Sequence, residues 1–213
     1  MCFSTSASFV SGVVLSAVGV VCLTKVRAPK QFLFASIPLV FGIQQLLEGV
    51  VWLSLTDPKY AQYQQAAPYA FLLIAQIIWP ILIPYAHLLL EKDKKRRKML
   101  QWLTVTGTLV VVFLLYFVFS QSVTAQIREH HIHYRTGISG YLAKFGPIPY
   151  FLVIVSAPFI STVKRMQWLA WSTLSAFLLA KIFFDQYLVS VWCFFAAVVS
   201  VTIWLIMDKM EYD

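Results

Sequence analysis

Gln44-Gln45-Leu46-Leu47-Glu48-Gly49-Val50-Val51-Trp52 lies inside an apolar run from Gln31 to about Ser54, long enough to cross a membrane. An ionisable carboxyl is expensive in lipid, so Glu48 must face protein or trapped water. At helical spacing Gln44, Glu48 and Trp52 share one face, each a turn above the last. A membrane span with one polar face needs partners for that face elsewhere in the chain.

The chain has 213 residues, of which 60% are hydrophobic and only 12% charged. Soluble domains carry roughly 25% charged residues, and a water-soluble fold of this length still exposes much of its surface. The composition therefore predicts an all-α, polytopic membrane protein forming a single domain over residues 1–213. A span needs about 20 apolar residues. Seven segments qualify, at roughly 7–25, 31–54, 67–90, 100–120, 147–163, 167–187 and 188–208. Residues 121–146 read as an outer loop, and Asp185-Gln186-Tyr187 as a tight turn between the last two segments. Pro147, Pro149 and Pro158 predict a short fifth segment that is kinked or tilted.

The formal net charge is +8, but the basic residues fall in short runs between apolar segments. That is the pattern of topology signals and lipid-headgroup contacts, not of a nucleic-acid-binding surface. Lys25, Arg27 and Lys30, the run Lys92 to Lys98, Lys164 with Arg165, and Lys209 all fall on one side of the seven spans. Lys59, Arg128, Arg135 and Lys144 are spread over longer loops on the other. The positive-inside rule then puts the N-terminus outside and the C-terminus in the cytoplasm, in a cell (inner) membrane. Trp52, Tyr69, Tyr116, Tyr150, Tyr187 and Trp192 near outer ends, with Trp102, Trp168 and Trp204 near inner ones, read as interfacial belts. No cleavable signal peptide is expected, and nothing in the sequence sets an oligomeric state.

Topology turns positions into depths. Glu48 falls in the outer half of the second span, with Gln76 on the third at a comparable level. Lys181 and Asp185 lie near the outer end of the sixth, four residues apart, a spacing that makes an ion pair. Cys193 is about a turn into the seventh span beside Trp192, and Cys2 and Ser4 lie outside with them. His130, His131, His133 and Tyr134 occupy the outer loop. Each group has two readings. Glu48 with Gln44 and Gln45 is a proton relay, a metal ligand or a general base, or else a neutral carboxyl that locks helices together. The histidines hold zinc or copper with Cys2, Cys193 or Glu48, or they touch headgroups; His-His-x-His matches no specific zinc spacing. Lys181 neutralises Asp185 or turns inward toward Glu48. His87 and Glu91, one turn apart, read as an interfacial pair. Three cysteines, Cys2, Cys22 and Cys193, make no disulfide framework.

The opening Met1-Cys2-Phe3-Ser4, then Gln44-Gln45 with Glu48 and Trp52, His133-Tyr134, and Trp192-Cys193-Phe194-Phe195 resemble a bacterial family of seven-helix membrane proteins. Members of that family share a Met-Cys-Phe/Trp-Ser N-terminus, and the family is carried as a domain of unknown function. The resemblance implies the fold and topology and no reaction. The seven-helix zinc hydrolases of the alkaline ceramidase type fit less well, because the seventh segment here has no histidine.

Three functions follow from the residues. The first is a binding or transport protein for a small solute, proton or metal ion, with an outward-facing pocket centred on Glu48. The second is an outer-leaflet, metal-dependent hydrolase in which the ion activates water. The third is a scaffold or sensor whose polar face only joins helices.

Overall fold

The computed structural model of the protein describes residues 4–128, 130–138, 140, 146–183 and 188–210, the side chains of 188–197 excepted. In hydrocarbon only a helix satisfies every backbone donor within its own segment, and the apolar runs fold accordingly. The helices are α1 (Thr5–Thr24), α2 (Phe32–Thr56), α3 (Ala66–Leu72), α4 (Trp79–Leu90), α5 (Lys94–Ser120), α6 (Pro147–Ile160), α7 (Met166–Phe183) and α8 (Leu188–Asp208). Among the described residues four continuous helical stretches are long and apolar enough to cross a membrane: Thr5–Thr24, Pro29–Thr56, Ala66–Leu90 and Lys94–Ser120. Leu109, Phe119, Trp168 and Ile182 are 65–74% exposed, an apolar exterior that suits lipid and not water.

Local chemistry sets the helix ends. The Ser4 hydroxyl accepts from the amide of Ala7 at the start of α1, and the Asp93 carboxylate accepts from the amide of Arg96 at the start of α5. The fifth apolar segment is shorter than expected. Its helix, α6, stops at Ile160 because Ser161 is already extended, so 14 residues cover only about 21 Å.

The third apolar segment is one continuous rod with a π-helical turn, Leu73–Ile78, between α3 and α4. In an i→i+5 pattern the donor for the carbonyl of Ala75 is residue 80, and Pro80 has no N–H. The Tyr150 hydroxyl of α6 supplies the missing bond, donating to Ala75 O at 2.5 Å.

Small residues let backbones approach. In the antiparallel α1–α2 pair, Gly42 sits against Ser16, and a Cβ on Gly19 would land on the backbone of Leu39. Gly107 of α5 does the same against α4, where a Cβ would land on the carbonyl oxygen of Pro80. The central core is built on Phe34, Ile37, Phe41, Trp79, Met166 and Ile203.

The two ends of the bundle differ. At one, Lys25 pairs with Asp208 at 2.5 Å, and Arg96 donates to the carbonyl of Ile160 at 2.9 Å. At the other, the stretch read as a loop contains a β-hairpin. Strand β1 (Thr124–Arg128) pairs antiparallel with β2 (His131–Arg135), with Ile127 opposite Ile132. The hairpin folds back onto the helices. Ile132 is buried with Val51, Trp52 and Phe71, and Tyr134 stacks on Phe71 at 4.8 Å. The Tyr69 hydroxyl accepts from the amide of Val123 at 3.1 Å. Trp52 is accordingly 5% exposed and belongs to the core, not to an interfacial belt facing lipid. The expected turn at Asp185-Gln186-Tyr187 lies outside the described residues.

Candidate functional site

Adjacent residues on a helix project about 100° apart, so Gln44 and Gln45 address different neighbours. Gln44 accepts a hydrogen bond from the indole Nε1 of Trp79 on α4 at 2.7 Å. Gln45 turns toward α1: its Oε1 lies 2.9 Å from the hydroxyl of Ser11, and its Nε2 donates to Oε2 of Glu48 at 3.1 Å. Gln44, Gln45 and Glu48 are each at most 1% exposed. The acid therefore faces neither lipid nor water, and polar company has been gathered for it. The α1–α2 register explains the partner. Gly12 sits against Leu46 and Phe9 against Gly49, so the offset that joins Ser11 to Gln45 puts Ser8 level with Glu48.

Three further polar atoms lie around this level. Ser8 Oγ, Trp52 Nε1 and Gln76 Oε1 are buried and have no hydrogen-bond partner among the described residues. Trp52 stands one turn above Glu48 on α2. Counting up the antiparallel helices from the Gln44–Trp79 bond, Gln76 comes level with residues 47 and 48. Of the residues singled out from the sequence, Gln44, Glu48 and Trp52 thus follow one another a turn apart on α2, Gln45 joins Glu48 from the side of α1, and Gln76 stands at their height. Ser8, Ser11 and Trp79 were not foreseen.

Lys181 is exposed near the end of α7, while Asp185 and Cys2 lie outside the described residues, as do the side chains of Trp192 and Cys193. Ser4 is the exposed cap of α1. His130 is exposed in the hairpin turn, whereas His131 and His133 lie two apart on β2 and so project to one face. Burial holds the His133 imidazole below the ordinary histidine range, and the charges of Arg128 and Arg135 push the same way. Among the described residues no three His, Cys, Asp or Glu side chains are grouped to hold a metal ion. A zinc or copper site would draw on at least one side chain outside those described, with Cys2, Glu129, Asp185 and Cys193 as candidates.

His87 and Glu91 do not pair with each other. His87 Nδ1 lies 2.8 Å from the carbonyl of Ile83, one turn back on its own helix. The Glu91 carboxylate is 2% exposed and accepts from the amide of Thr162 at 2.7 Å and its hydroxyl at 2.6 Å. The amides of Lys92 and Asp93 add bonds at 3.0 Å. Burial alone would raise this carboxyl, but the Thr162 hydroxyl and the three amides outweigh it and hold it below the usual carboxylate range. Glu91 is therefore a clamp between the end of α4 and the α6–α7 connection.

A described cavity lies elsewhere. A cavity of about 30 Å³ opens beneath the Gln44–Trp79 bond and extends to His87. Trp79 forms part of its wall, with its ring stacked on Phe41 at 4.1 Å. Glu48 is not among the lining residues.

No curated protein matches the chain, and no solved structure does. The model of one family does, over residues 1–212, in keeping with the expected resemblance to a family of unknown function. The chain belongs to that family, DUF6629, a family of unknown function.

Proposed function

We propose that the protein crosses the cytoplasmic membrane seven times, N-terminus outside, and binds or transports a small polar solute or ion, the proton included, at Glu48. The distribution of charge supports the topology. The basic runs follow the bundle end at which Lys25 meets Asp208 and Arg96 meets Ile160, and the hairpin covers the opposite end. Glu48 is eight residues from the end of α2, which puts it in the half of the membrane nearer the hairpin.

One observation carries the site: a fully buried carboxyl bonded to Gln45, at the level where buried polar atoms of Ser8, Trp52 and Gln76 also gather. A face that served only to lock helices would satisfy its polar atoms against one another. Among the described residues Ser8 Oγ, Trp52 Nε1 and Gln76 Oε1 have no such partner, which favours a bound solute or ion at this level. A carboxyl in such surroundings changes charge when it gains or loses a proton, and that change alters its hold on any bound solute.

The test is proton movement after a pH jump across liposomes containing the purified protein, read with an enclosed pH dye. Wild type should respond above protein-free liposomes, and Glu48→Gln should lose most of that response. An equal response from the two proteins, or none above empty liposomes, contradicts the reading.

A further inference from the structure

The cavity below the Glu48 network shares only Trp79 with that network among the described residues. Its wall is apolar, with Ile37, Phe41, Ile154, Leu169 and Ile203 drawn from four helices. The polar side chains that join it are Trp79, Thr173 and His87. Trp79 has already spent its only donor on Gln44. His87 is 0% exposed, and its Nε2 has no hydrogen-bond partner among the described residues. The ring's other nitrogen turns back to its own helix at Ile83 O, 2.8 Å away. A carbonyl accepts only, so Nδ1 carries the proton and Nε2 is a bare acceptor. Nε2 lies farther along the ring from the helix backbone, and on a fully buried side chain that lines the cavity it stays inside the bundle.

A bare acceptor in an apolar chamber selects its ligand. A cation has no counter-charge in the wall, because the one described carboxylate nearby, Glu91 a turn along, is saturated by Thr162 and two further amides. An acyl chain would leave Nε2 buried and unsatisfied. About 30 Å³ admits one or two molecules of water's size, which need roughly 10–15 Å³ each and at least two polar partners. His87 and Thr173 supply them.

We propose that this cavity is a second binding site, for a neutral hydrogen-bond donor of one or two heavy atoms such as water, held by His87 Nε2 and Thr173 and distinct from the Glu48 site. The test is solid-state NMR of the full protein in liposomes with ¹⁵N-labelled histidine, assigned by loss of one signal in His87→Leu. His87 should show a protonated Nδ1 and a bare Nε2, and should receive magnetisation from water. Ala176→Val, which fills the chamber, should abolish that transfer while the remaining histidine signals stay in place. Glu48→Gln should leave it intact. A protonated Nε2, transfer from lipid chains in place of water, or water transfer that survives Ala176→Val would overturn the proposal.

Discussion

Gln44 and Gln45 show how much one residue step decides. The two side chains are chemically identical, yet one fastens α2 to α4 through Trp79 and the other fastens it to α1 through Ser11 and carries Glu48. Hydrogen bonds of this kind inside bilayers are worth about 0.6 kcal/mol on average and rarely more than about 1.7. The Gln44–Trp79 bond is therefore measurable as a coupling. Trp79→Phe keeps a ring against Phe41 and removes the indole donor together with part of the ring's bulk; a double-mutant cycle with Gln44→Leu cancels that packing loss, and the pair should couple by roughly 0.5–2 kcal/mol in detergent unfolding. Coupling indistinguishable from zero would mean that the bond does not form. Glu48 and the two glutamines were legible in the sequence because polar groups stand out in an apolar run. Ser8 and Ser11 were not, since a helical serine can satisfy itself on the preceding turn, as Ser11 also does with Ala7 O at 2.8 Å. Trp79 was hidden because a tryptophan in an apolar segment carries no mark of the partner its N–H will find.

Elements pack by rules that the apolar runs only partly reveal. A Cβ on Gly107 would land on the carbonyl oxygen of Pro80, so Gly107→Ala should force α4 and α5 apart at a cost of about 1–3 kcal/mol, read as a lowered unfolding temperature. If the variant is as stable as wild type, the two helices are not in close contact there. The hairpin escaped sequence reading because its charged and histidine residues outweigh a short alternation, in which Ile132 and Tyr134 turn to the helices and His131 and His133 to the other face. The π turn was legible only in hindsight, from the missing donor of Pro80. His133 also gives the hairpin a pH dependence. Its imidazole resists protonation when folded, so the unfolded hairpin binds the proton more readily. Stability is then complete above the ordinary histidine value of about 6.5 and lost as pH falls below it. Amide exchange in β1 and β2, corrected for its intrinsic pH dependence, should report easier opening at pH 5 than at pH 8, and His133→Gln should remove the difference. The reverse sign would rule out His133 as the cause.

At the scale of the molecule, composition alone was enough to say that the chain is helical and belongs with lipid. Four of the expected segments are matched by helical stretches long and apolar enough to cross. The later ones are harder to read, because α6 is short and its prolines do not advertise where it stops. The proposed orientation makes a direct prediction. With the native cysteines replaced, a cysteine introduced at Gln126 in the hairpin should react with a membrane-impermeant thiol reagent added outside intact cells. One at Lys98 should react only after permeabilisation. The opposite pattern would invert the molecule and put Glu48 in the cytoplasmic half.

All of this converges on whether Glu48 is an acid that exchanges protons inside the bundle. Infrared difference spectroscopy of the reconstituted protein across a pH titration answers that most directly. The account predicts a protonated-carboxyl C=O band that comes and goes with pH in wild type and is missing from Glu48→Gln, while Glu91→Gln retains it. A spectrum in which wild type and Glu48→Gln are the same at every pH would contradict it.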